Sequence, residues 1–200
     1  MPVALEISEP IHPHHKQWPP HKQWTRDECA ALQRAGLIAA ERYELIEGEL
    51  IQKMGKNHPH MLTVMLLGSW LRKIFGEMFV VQEASIDLRP EDNPSSEPEL
   101  DIVVLTHPFR EFTSKARPHE LRLVAEVSST TLAFDLTTKA RLYARSGITE
   151  YWVLDVEGRR LIIHRDPVGD AYGFVAAYDE NERVATLAAP TCEVHGNELF

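Results

Sequence analysis

The chain has 200 residues, 44% of them hydrophobic, which is enough for one substantial core and too few for two. A formal net charge of −9 argues against a protein that coats nucleic acid through an overall positive field, although basic residues outnumber acidic ones between Arg110 and Arg165 and leave room for a local basic face. Two cysteines far apart, Cys29 and Cys192, give neither a disulfide framework nor zinc-ligand spacing; with no signal pattern at the start and no apolar run of bilayer length, a soluble cytoplasmic chain is expected.

Residues 1–24 are rich in Pro and His and contain "HKQW" twice, so they are expected to form a flexible or extended arm, leaving 25–200 as a single domain. His12, His14, His15 and His21 could chelate a transition metal, but the interspersed prolines disfavour the regular helix that would converge them, and a solvated arm is the preferred reading. Thr25 then reads as the N-cap of a short helix ending near Gly36. "RYELIEGELIQKM" reads as a hairpin turning at Glu47 and Gly48. "PHMLTVMLLGSWLRKIF" has apolar residues at Met61, Val64, Met65, Gly68, Leu71 and Phe75, the spacing of a buried helix face. Strands are predicted at 79–88, 99–105 and 121–128, a helix at 134–146, and strands at 150–155, 160–165 and 172–178. This order predicts an α/β architecture of mixed α+β character, with the 134–146 helix crossing between two neighbouring parallel strands.

Within "LVAEVSS" the alternation puts Arg122, Val124, Glu126 and Ser128 on one face, with Glu126 near the C-terminal end of the strand, where α/β sheets open their ligand crevice. Asp101 in "ELDIVVL" can meet Glu126 across adjacent strands, and Asp135, Lys139 and Tyr143 recur at intervals of four on the following helix. Two carboxylates suit a hard divalent cation, which polarises a phosphate and lowers the pKa of its water, while a lysine steadies the developing negative charge. The residues alone leave a plainer reading open: Asp101 merely starts a strand, Glu126 pairs with Arg122 or another base, and Lys139 is a solvated partner of Asp135.

"RYELIEGELI", "PELDIVVL" and "LVAEVSSTTLAFDLTTKARLYARSGITEYWVLD" resemble, in unbroken order from about Tyr43 to Asp155, the Uma-two restriction endonuclease family of the PD-(D/E)XK nuclease superfamily. The resemblance implies a restriction-endonuclease-like core, a mixed central sheet flanked by helices, and a magnesium- or manganese-dependent site. It makes Asp101 and Glu126 metal ligands, with the backbone carbonyl of Val127 completing the set. Ser128 stands where the superfamily usually has lysine, and Lys139 would replace it from the next helix. Glu44 matches the acid before the hairpin turn and would assist metal or water positioning. His60, Asp135 and Tyr143 fall at matching positions in supporting roles: structural bonding or proton transfer for His60, capping or orienting Lys139 for Asp135, and packing for Tyr143. The sequence departs from the pattern at Leu100, where proline is more usual before the acid.

The resulting expectation is a metal-dependent endodeoxyribonuclease, a hydrolase cutting DNA phosphodiesters with Glu44, Asp101, Glu126 and Lys139 as the catalytic set, and a homodimer where both strands are cut. The alternative is a catalytically silent nuclease-fold module that binds nucleic acid or a protein partner.

Overall fold

The computed structural model describes residues 21–53 and 55–200, together with the backbone of Val3–Ala4. In chain order the elements are β1 (Val3–Ala4), α1 (Arg26–Arg34), β2 (Tyr43–Ile46), β3 (Glu49–Gln52), α2 (His58–Phe75), β4 (Val80–Ser85), β5 (Glu99–Leu105) and β6 (Leu121–Ser128). A helical run follows that starts as one α turn, α3 (Leu132–Phe134), widens into a π segment (Asp135–Lys139) and returns to α geometry as α4 (Ala140–Arg145). Then come β7 (Glu150–Asp155), β8 (Arg160–Val168), β9 (Ala171–Asp179), β10 (Arg183–Val184) and β11 (Val194–His195).

Seven strands form one sheet in the order β1-β9-β8-β7-β6-β5-β4. Its one parallel pair is β6 with β7, joined by the predicted helical crossover; every other neighbour is antiparallel. The two faces sort by strand alternation. Val103, Val124, Tyr151, Val153 and Ile162 pack with Ala140, Leu142 and Tyr143 on one side. Ile102, Leu123, Ala125, Trp152 and Leu154 pack with Leu67 and Leu71 on the other. The sheet is therefore the middle of three layers, with α4 and α2 outside it, and each fully buried leucine or isoleucine contributes about 2 kcal/mol by leaving water.

Local rules account for most boundaries. Thr25 caps α1 in a reciprocal box with Glu28. The β2–β3 turn uses Glu47 and Gly48, both at positive φ (51° and 82°), as a two-residue hairpin requires. The hairpin is held to the rest by Glu97, whose amide donates to the Leu45 carbonyl at 2.6 Å, and by Arg145, which reaches both Glu47 and Asp92. Strand β4 stops at Ser85, short of the predicted 88, where Asp87 and Leu88 instead bond Ala116 and Asn93 in a loop.

The face of α2 differs from the predicted one. His60, Thr63, Leu67, Gly68 and Leu71 are buried, whereas Met61 and Met65 are exposed. In this rotated stripe His60 faces inward, 3.3 Å from Asp101 Oδ1, a contact that a hydrophobic count cannot register. Of the expected arm, most residues, including His12, His14 and His15, lie outside the described ones; Val3–Ala4 pairs with β9 and the Trp24 amide donates to Gly48. Among the described residues no helix is long and apolar enough to cross a membrane.

Candidate active site

Asp101 on β5 and Glu126 on β6 project from the α4 face of the sheet at the C-terminal end of β6, and both line one cleft with Glu44, Lys56, Asp135 and Lys139. Strand pairing between β5 and β6 ends at Ile102 with Ala125. Just beyond it the Val127 amide donates to Asp101 Oδ2 at 2.8 Å instead of to a backbone carbonyl. Amide and carbonyl of one strand residue point to the same strand edge, so the Val127 carbonyl is directed toward the cleft side too.

Glu126 is 4% exposed. Its Oε1 accepts from Lys139 Nζ at 2.9 Å and from the Tyr143 hydroxyl at 3.0 Å, while among the described residues Oε2 accepts nothing. Lys139 Nζ also lies 3.1 Å from Glu44 Oε1 and 4.0 Å from Asp135 Oδ1. One ammonium thus serves three buried or nearly buried carboxylates. The π segment is what delivers it: five residues of wider helix keep both Asp135 and Lys139 turned inward beneath β6.

Burial, together with this imbalance, governs the protonation of the site. Burial, with Asp101, Asp135 and Glu44, outweighs the pull of Lys139 and brings the Glu126 carboxyl up to about 8. Burial also raises the Asp135 carboxyl, against Lys139 and the hydroxyl bonds of Thr131 and Ser128. Burial disfavours the Lys139 ammonium, but Glu126, Glu44 and Asp135 outweigh it and hold the charge far above the ordinary lysine range. Tyr143, buried and facing Glu126, stays protonated and donates. Asp101 behaves oppositely. Burial raises it, but the His60 contact and charge, the Val127 amide and Lys56 together bring its carboxyl below the usual range.

Each sequence-derived residue now has a place. Glu44, Asp101, Glu126, Lys139, Asp135 and Tyr143 converge, and neither Lys139 nor Glu126 is the solvated or Arg122-paired group of the plainer reading. Arg122 instead donates to the Thr106 carbonyl and lies over Phe75 and Phe79. His60 Nε2 is buried 3.3 Å from Asp101 Oδ1 without the alignment of a hydrogen bond, which leaves an orphaned polar atom at the cleft. Ser128 shares a 3.3 Å bond with Thr131, which donates to Asp135 at 2.6 Å, so both hydroxyls act on Asp135. Asp135 therefore sits within the helical run, tied to Thr131, and does not cap its start. Sequence reasoning missed Lys56, whose Nζ lies 3.5 Å from Asp101 Oδ1 and 3.0 Å from Glu83 Oε1; its position just before the Asn57 N-cap of α2 is the only local signal it carries.

Among the described residues no three Asp, Glu, His or Cys side chains already surround a cation position, and lysines lie beside the carboxylates of Asp101 and Glu126. The donor chemistry nevertheless fits a hard divalent cation: carboxylate oxygens, a carbonyl at the strand edge and more buried carboxyl groups than Lys139 can hold ionised.

The Uma2 family model, described as "Putative restriction endonuclease", matches residues 30–194. Among solved structures, the crystal structure of "a putative nuclease belonging to DUF820" from Anabaena variabilis superposes with a TM-score of 0.64 at 15% identity, covering 88% of this chain and 97% of that one. No curated protein matches.

Proposed function

The chain belongs to the Uma2 family, and from that premise we propose that its cleft hydrolyses phosphodiester bonds of DNA with magnesium or manganese and a water nucleophile. The observation that carries the proposal is the burial of Glu44, Glu126 and Asp135 around the single ammonium of Lys139, beside Asp101. A structural ion pair needs one base for each acid; a surplus of buried carboxylate suits a divalent cation.

In this reading Asp101, Glu126 and the Val127 carbonyl hold the cation, which when bound supplies Lewis-acid polarisation of the phosphate and a water of lowered pKa. Val127 and Tyr143 fix the two carboxylates by their 2.8 and 3.0 Å bonds, so the ligands are oriented before substrate arrives. Lys139 steadies the charge developing on the phosphate and orients the water, and Glu44 holds that lysine in register at 3.1 Å. One cleft per chain cuts one strand at a time, so duplex cleavage calls for a homodimer and nicking for a monomer.

A second reading has its own support. Lys139 and Tyr143 on Glu126, and Lys56 beside Asp101, neutralise both acids internally, as a silent module that binds DNA or a protein would require. Plasmid nicking in magnesium, manganese or chelator separates the two. Wild type should cut only with the cation, and Glu126→Ala and Lys139→Ala should each lose about a hundredfold or more. Equal cutting by all three proteins would sink the catalytic assignment, and a folded wild type that never cuts would favour the silent module.

A further inference from the structure

The cleft contains a second lysine whose position differs in kind from that of Lys139. Lys139 is 5% exposed and locked among three carboxylates. Lys56 retains 36% of its side-chain surface, comes from the loop before α2, and bridges two acids on adjacent strands. Glu83 and Asp101 fall between the antiparallel pairs Gln82 with Ile102 and Ala84 with Leu100, and Lys56 reaches both side chains. Like charges so placed repel, and Lys56 relieves them by sitting 3.0 Å from Glu83 and 3.5 Å from Asp101.

The remaining Asp101 atoms define what Lys56 blocks. Oδ2 is committed to the Val127 amide at 2.8 Å. Oδ1 therefore remains for a cation, and Lys56 and His60 stand there, at 3.5 and 3.3 Å. Of the two, Lys56 is the one that carries a permanent charge, has a flexible four-carbon stem and reaches solvent. Glu83, its other partner, is 63% exposed, so that contact is cheap to give up.

We propose that Lys56 is a place-holder for the divalent cation: it neutralises Asp101 in the cation-free protein and, displaced when the cation takes Oδ1, moves to a DNA phosphate at the cleft. The inference rests on the metal-dependent reading above and adds a residue that the family resemblance did not supply. It makes two effects of one substitution run in opposite directions. Losing Lys56 removes a competitor and improves cation binding, yet it also removes a phosphate contact and weakens DNA binding. A lysine serving only to stabilise the fold has no reason to do either.

The test is magnesium titration calorimetry on the full chain without DNA, comparing wild type, Lys56→Met and Lys53→Met. Methionine keeps the aliphatic stem, and Lys53 is the control because it lines the same cleft but pairs with Glu99 at 2.8 Å. Lys56→Met should tighten magnesium binding about fivefold, and Lys53→Met should change it less, since only the former vacates Asp101. Binding to a labelled DNA duplex with calcium replacing magnesium should weaken for Lys56→Met, with the slope of log K against log salt shallower by about one. Lys56→Arg should restore the slope. Unchanged or weaker magnesium binding by Lys56→Met, equal tightening by Lys53→Met, or an unchanged salt slope would overturn the place-holder. A wild type that takes up no magnesium at all would overturn the metal-dependent reading itself, a result distinct from any of these. Thermal melts of each variant check that folding is intact.

Discussion

Two carboxylates are buried on neighbouring strands at opposite ends of the parallel β6–β7 pair, and they have different surroundings. Glu150, at the start of β7, is 0% exposed and accepts from Arg165 at 2.9 and 2.6 Å, from Trp152 Nε1 at 3.0 Å and from the Leu187 amide at 2.8 Å. Glu126, near the end of β6, has two donors on one oxygen and three other acids nearby. The first group has one cation and a full set of hydrogen bonds, and it ties the Ala185–Leu187 segment to β7 and β8. The second lies where negative charge exceeds its partners and where the strands end at a cleft. Burial alone does not mark a site; burial with unbalanced charge and an opening does.

Substitutions should separate the two in opposite ways. The largest stability loss is expected for Glu150→Ala, which strands Arg165: about 2–3 kcal/mol, or a melting temperature roughly 5–10 °C lower, measured by calorimetry, with little effect on the chemistry of the cleft. The counterpart, Glu126→Gln, keeps an acceptor for Tyr143 and Lys139 while removing one surplus acid, so its stability should stay within about 1 kcal/mol of wild type and any cutting should be lost. If Glu126→Gln melted as early as Glu150→Ala, the contrast between strut and site would collapse.

His164 sharpens the comparison from the pH side. It is 1% exposed among Tyr151 and Tyr172, and neither ring nitrogen has a hydrogen-bond partner. Burial pushes its imidazole down to about 4, slightly offset by the Tyr151 backbone. The unfolded chain, titrating near the ordinary value of about 6.5, takes up the proton first; stability is complete above that pH and falls by about 3 kcal/mol as pH is lowered to roughly 4. His164→Phe should flatten that part of the melting-temperature profile. A variant whose profile still fell with the wild-type slope over this range would assign the loss to other groups. The smallest effect belongs to Thr25→Ala, which removes the α1 capping box at a cost of about 1 kcal/mol in chemical denaturation and leaves the cleft untouched.

The legible parts of the molecule were those written in short-range pattern. "ELDIVVL" and "LVAEVSS" are short, mostly apolar runs rich in Val and became β5 and β6, and the crossover to β7 followed from strand, helix and strand in succession. Strand alternation and the interval of four left the convergence of Asp101, Glu126 and Lys139 open, and the family resemblance selected it over the plainer reading. The burial stripe of α2 was not legible, since methionines outrank a histidine on any hydrophobic scale and the Asp101 that His60 faces is distant in the chain. The π segment was equally hidden: one extra residue per turn leaves no composition signal. Lys56 lies in a loop with no period, and its meaning comes from two strands that follow it in the chain.

The central claim is that the carboxylate surplus around Lys139 is completed by a divalent cation. Melting temperatures of wild type, Glu126→Gln and Glu150→Gln, each measured in chelator and in saturating magnesium, test it most directly. The expected result is a rise of roughly 5–10 °C with magnesium for wild type, a similar rise from a lower baseline for Glu150→Gln, and little or none for Glu126→Gln. An equal rise in all three proteins, or none in wild type, would contradict the claim.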